Sequence, residues 1–113
     1  MKIVHENQTK IYKNSDTCIA TEYPLDDKEI DMALVEVSDR YPEKGRATNE
    51  KCKELAYIVE GSGRVVVEDK EVYFNEKDMI LIEPGERLYW EGNFKMFVSC
   101  TPAWYPQQHK KVE

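Results

Sequence analysis

Between residues 17 and 101 apolar and polar positions alternate in short bursts, and no helix-length segment repeats with a 3.6-residue period. The bursts run five to eight residues and are separated by turn formers, the pattern of an all-β sandwich or barrel. TCIATEYP (17–24) and MALVEVSD (32–39) are the first strands, with the acidic loop LDDKEID between them. RYPEKGRATNEKCK (40–53) is a polar loop, and Tyr41-Pro42 within it is a strand-exit turn. ELAYIVE then turns at Gly61-Ser62-Gly63 into RVVVE, and a tight Asp69-Lys70 hairpin returns through EVYF. DMILIE stops at Pro84-Gly85, RLYWEG and FKMFVSCT follow, and the tail crosses the surface and frays after about Gln107. Six or more such strands predict a closed or double-sheet antiparallel architecture, which leaves few bare strand edges. An immunoglobulin-like sandwich is the rival, but the Cys…Trp…Cys spacing is missing.

At 113 residues the chain has the length of one domain, 1–113. A formal charge of −6 and no Lys/Arg cluster exclude a phosphate-backbone partner, so no nucleic acid is expected. The longest apolar runs resemble MILI (79–82), and MKIVHENQTK has no apolar core, so neither a membrane span nor a secretory leader is expected. Cys18, Cys52 and Cys100 are odd in number and widely spaced. Free thiols in a reducing, cytoplasmic setting are the expectation.

Residues 45–93 carry two motifs that resemble those of the cupins, small double-stranded β-helix (jelly-roll) barrels. Glu54 followed after six residues by Gly61 matches the second half of the first motif, within YIVEGSGRV. KDMILIEPGERL (77–88) matches the second through Asp78, Pro84 and Gly85. The resemblance implies an all-β cupin jelly-roll barrel, with motif regions at 45–63 and 77–93. It also implies where metal-binding histidines stand in other members, and here those positions hold different residues. They are Thr48 and Glu50, or Ala47 and Asn49 with a spacer one residue longer, and Leu88 in the second motif. The only histidines, His5 and His109, lie near the two ends. Imidazoles supply most of the affinity for a borderline metal, so no metal and no other cofactor is expected. Glu50 and Glu54 alone make at most a weak site for a hard cation.

If Glu54 faces the barrel interior, as its motif position implies, alternation puts Ala56 and Ile58 on the same face and Leu55, Tyr57 and Val59 on the other. Leu88 and Trp90 then face inward and Tyr89 outward. The cavity so inferred is lined by Thr48, Glu50, Glu54, Ala56, Leu88 and Trp90, with Arg46 or Asn49 at its rim. Two readings stand at this point: a small-molecule pocket with ligand-binding Arg46, Thr48, Asn49, Cys52, Leu88 and Trp90, or an ordinary filled core. Glu54 and Glu50 are the candidate acid/base pair, and Arg46 or Lys53 could instead hold Glu54 in an ion pair. Lys51 and Lys53 flank Cys52 and could lower its pKa; against that stands a packed small residue. Trp90 and Trp104 could stack on a planar ligand or belong to the core.

Three functions follow. One is a metal-free module that binds a small polar organic ligand, sugar-like or carboxylate-like. A second is a metal-independent enzyme resembling the cupin sugar isomerases and epimerases, with Glu54 or Glu50 as acid/base. The third is a structural, dimer-forming domain, for which exposed Tyr57 and Tyr73 are interface candidates in an expected homodimer.

Overall fold

The computed structural model describes residues 1–113. Nine strands form one curled antiparallel sheet: β1 (Lys10–Ser15), β2 (Cys18–Glu22), β3 (Asp31–Tyr41), β4 (Arg46–Asn49), β5 (Lys53–Val67), β6 (Lys70–Phe74), β7 (Met79–Ile82), β8 (Leu88–Thr101) and β9 (His109–Val112). Along the main path their order is β1-β2-β3-β8-β4-β9, and β5 pairs with β6, β7 and β8. The all-β jelly-roll expectation therefore holds.

Strand β8 is the axis. It pairs with β3 from Asp31↔Cys100 to Tyr41↔Trp90, and along its other edge with β5 from Lys53↔Thr101 to Val67↔Leu88. Its even-numbered side chains, Leu88, Trp90, Phe94, Met96, Val98 and Cys100, are all buried, so its period of two lays one apolar stripe along the concave side. Phe74, Trp90 and Phe94 pack as a trio, with Phe74–Phe94 centroids 4.8 Å apart edge-to-face.

The predicted turn at Gly61-Ser62-Gly63 lies inside β5, and the separate runs RLYWEG and FKMFVSCT are one continuous strand, β8, with Gly92 inside it. A bulge at Val59 shifts the β5–β8 register between Ile58 and Glu60. The extra residue moves the inward face of β5 from even positions (Ala56, Ile58) to odd ones (Val65). Gly63 and Gly92 face each other where the two long strands bend together. A Cβ on Gly63 would stand 2.4 Å from the Glu91 carbonyl oxygen, which explains the glycine there.

Three smaller differences follow from pairing that no local pattern announces. The hairpin turn sits at Glu68-Asp69, between paired Val67 and Lys70. Lys10–Ser15 adds an edge strand to β2. The tail does not fray after Gln107: His109–Val112 pairs with Arg46–Asn49 and becomes β9. No helix is long and apolar enough to cross a membrane. The three cysteines are free and buried.

Candidate functional site

The concave side of the sheet encloses a cavity of about 310 Å³. Leu88 and Trp90 form part of its wall rather than filling it, so the filled-core reading falls. Strands β2, β3, β4, β5, β8 and β9 all contribute lining residues, and Trp104 covers it from the segment between β8 and β9.

Glu54 starts the inward face of β5, between Ile82 of β7 and Cys100 of β8. Burial pushes its carboxyl up from the ordinary 4.5 to about 7; the hydrogen bond from Asn49 pulls the other way, and the charge of Asp31 adds to the rise. No cation offsets it. Arg46 instead donates to the backbone oxygens of Glu68 (2.6 Å) and Arg87 (3.2 Å), holding two turns together outside the cavity. Lys53 pairs with Glu83 at 3.5 Å. The expected ion pair at Glu54 is thus absent, because both cations are engaged elsewhere.

Asn49, at the end of β4, organises the polar wall. Its Nδ2 donates to Glu54 Oε1. Its Oδ1 receives hydrogen bonds from Gln108 Nε2 (2.9 Å), His109 Nδ1 (2.8 Å) and, more weakly, Trp104 Nε1 (3.3 Å). An indole N–H can only donate, which fixes the orientation of the Asn49 amide. His109 Nδ1 must then carry a proton, leaving Nε2 to accept from the Tyr41 hydroxyl at 3.1 Å. Burial, and secondarily Lys111, lower the His109 pKa and keep this tautomer neutral. Burial also pushes the Tyr41 hydroxyl up to about 12, so it remains a donor. Gln108 is buried and locks the arrangement, its Oε1 accepting from the backbone of Lys51 and Cys52 at 3.2 Å each.

Of the residues selected from the sequence, Glu54, Thr48, Asn49, Leu88 and Trp90 line the cavity. Glu50 does not: it is exposed, where the chain turns away from β4 and its backbone N–H meets the Gln108 carbonyl. Cys52 does not either. It is packed in the core at 1% exposure, and burial raises its pKa to about 11, opposite to the lowering expected from its lysine neighbours. Arg46 is held outside by its backbone partners.

Tyr41, His109, Asp31 and Glu22 also line the cavity and were missed. Two of them were readable. Cys18-Ala20-Glu22 and Asp31-Ala33-Val35-Val37 are period-two rows, apolar except for one carboxyl each. Tyr41 looked like turn punctuation beside Pro42. His109 carries no local signal, since only the β4–β9 pairing brings it in.

No family model and no curated protein matches the sequence. Solved structures do match. Streptomyces PAC13, described as a unique nucleoside dehydratase, superposes with a TM-score of 0.89 at 19% identity, over 100% of this chain and 92% of that one. A PAC13 variant with uridine gives 0.88 at 20% identity, over 98% and 90%. The polyketide cyclase RemF of Streptomyces resistomycificus gives 0.75 at 18%, over 100% and 86%. The fold is that of the cupins.

Cupin barrels in general raise the question of a metal, and the side chains at the corresponding positions do not fit one. Thr48 offers a neutral hydroxyl, Glu50 points away, and Leu88 is apolar. Nowhere do three His, Cys, Asp or Glu side chains converge as a ligand set.

Proposed function

We propose that this chain binds a small polar organic molecule in the cavity and that Glu54 exchanges a proton with it. The observation that carries the reading is a carboxyl on the wall of a cavity of about 310 Å³, paired with no cation and pushed up to about 7 by burial. That volume lies at the small end of the range for ligand pockets, and a group with a pKa near the working pH serves as either acid or base. The expectation of two acid/base carboxylates narrows to one, because Glu50 lies outside.

Support also comes from the likeness to PAC13, a nucleoside dehydratase seen with uridine. Loss of water from a hydroxylated carbon skeleton removes one proton from carbon and delivers one to the departing hydroxyl, leaving a C=C bond. Glu54 can take the first proton as carboxylate and return it as acid, so one group serves both steps without net change. Isomerisation or epimerisation of a sugar asks the same of it: a proton removed from carbon and returned.

Trp90 and Trp104 are the only tryptophans and both line the cavity, so intrinsic fluorescence reports occupancy directly. Titration with uridine should change the emission saturably, and the affinity should vary with pH around 7 in the native protein but not in Glu54→Gln. A pH-independent affinity in the native protein removes Glu54 from the site; no spectral change with uridine, ribose or other small polyols removes the binding reading.

A further inference from the structure

The cavity is polarised in charge. Asp31 of β3 and Glu54 of β5 both pair with Cys100 of β8, so the three stand in one row across adjacent strands on the concave side. At about 4.8 Å per strand spacing, the two carboxyl-bearing residues straddle Cys100 roughly 10 Å apart. Glu22 of β2 pairs with Ala33, two residues along β3 from Asp31, and so adds a third carboxyl to this end. All three line the cavity. Asp31 Oδ2 accepts the Trp104 backbone N–H at 3.0 Å, and Glu54 accepts from Asn49; neither group is paired with a cation. Lys111 is the one cationic side chain in the lining, and it sits opposite Ala47, with its ammonium 5.8 Å from the Tyr41 ring. Thr48, at 9% exposure, lines the same cavity with its buried hydroxyl lacking any partner.

Carboxylates are acceptors only, and a pair of neighbouring hydroxyls can satisfy one carboxylate with two hydrogen bonds. A phosphate monoester is mostly the dianion at neutral pH, with few hydrogens to donate, and adds negative charge. It needs guanidinium, ammonium or clustered backbone N–H groups, and the one cation beside this end, Lys10 across the β1–β2 ladder from Glu22, is exposed and outside the cavity lining. Arg40 spends its guanidinium on the Pro42 and Gly45 carbonyls, and Arg46 on Glu68 and Arg87. The chain's −6 charge works in the same direction.

Building on the ligand-binding reading above, we propose that Glu22, Asp31 and Glu54 form the hydroxyl-recognising end of the cavity. This end admits an uncharged hydroxylated ring, such as a nucleoside, and turns away its phosphorylated form. The aromatic wall of Tyr41, Trp90 and Trp104 takes the planar part of the ligand.

Calorimetric titration of the whole chain with uridine and with uridine 5′-monophosphate tests this. Uridine should bind at least about tenfold more tightly, because placing like charges together is costly. In the Glu22→Gln/Asp31→Asn double variant uridine should weaken several-fold and the gap between the two ligands should narrow. Should that variant fail to fold by circular dichroism, Glu22→Gln alone serves, since the Glu22 side chain makes no hydrogen bond, and its gap should narrow too. Equal or tighter binding of the monophosphate by the native protein, or a gap the variants leave unchanged, overturns the inference while leaving the ligand-binding reading intact. Binding of neither compound overturns both.

Discussion

Replacing Glu54 by glutamine should stabilise this protein above neutral pH. The carboxyl titrates near 7 in the folded chain against an ordinary 4.5, because burial disfavours its charged form and no cation compensates. The folded state therefore holds this proton more tightly than the unfolded state does. Any stability advantage of the protonated carboxyl is complete below about pH 4.5 and is lost as pH rises through about 7. At 1.36 kcal/mol per pH unit, the displacement amounts to about 3 kcal/mol at pH 8 and above. Glutamine is nearly isosteric, cannot ionise, and keeps an oxygen to accept from Asn49 Nδ2. Urea denaturation of both proteins between about pH 4 and 9 measures the effect. The two curves should nearly coincide at pH 4 and separate through pH 5–7, with the variant more stable by up to about 3 kcal/mol at pH 8. A variant less stable at pH 8, or a difference independent of pH, would refute the assignment of Glu54 as a desolvated, unpaired carboxyl.

Other consequences are equally open to measurement. Asn49→Ala strips the acceptor from Gln108, His109 and Trp104 together; a loss of at least about 3 kcal/mol in urea is expected, and less than 1 would mean that the amide is not the organiser. Gly63→Ala should cost several kcal/mol or prevent folding, since its Cβ would meet the Glu91 carbonyl at 2.4 Å, whereas Gly85→Ala meets nothing within 4 Å and should cost only about 1 kcal/mol for its positive φ. Thermal melts of the two variants compare them. All three thiols should resist a disulfide reagent at pH 8 in the native state and react fully in urea, because burial raises each thiol pKa; fast native labelling of Cys52 would contradict its packing.

The strands of the barrel were legible wherever alternation was continuous and local. RLYWEG and FKMFVSCT read as strand and both fall in β8, and ELAYIVE places Leu55, Tyr57 and Val59 on the face opposite Glu54, which is the exposed one. Glycines misled, because Gly61 and Gly63 read as a turn and Gly92 as the end of a run. Their actual role is close approach of two bent strands, and a bulge at Val59 that swaps faces cannot be counted from one strand alone. The site was legible only in part for a related reason. Glu54, Leu88 and Trp90 lie on strands whose facing follows from motif position and period, whereas Thr48 and Asn49 are reached only through the motif spacing, in a stretch that reads as a loop and forms β4. Glu50 sits one residue past the end of β4, where alternation no longer governs direction. Tyr41 and His109 meet across 68 positions through the β4–β9 pairing, a long-range event with no trace in either segment. The charged sequence neighbours of Cys52 mislead because, where β4 connects to β5, Lys51 and Lys53 are exposed while the thiol is buried, and burial dominates.

The account's central claim is that the concave cavity holds a small polar ligand against Glu54. A crystal structure of the protein soaked with uridine tests it most directly. The expected result is ligand density inside the cavity, with its ring against Trp90 or Trp104 and a hydroxyl within hydrogen-bond distance of the Glu54 carboxyl. A cavity closed by repacked Trp90, Leu88 and Met96 side chains, or uridine bound only on the outer face of the sheet, would contradict it.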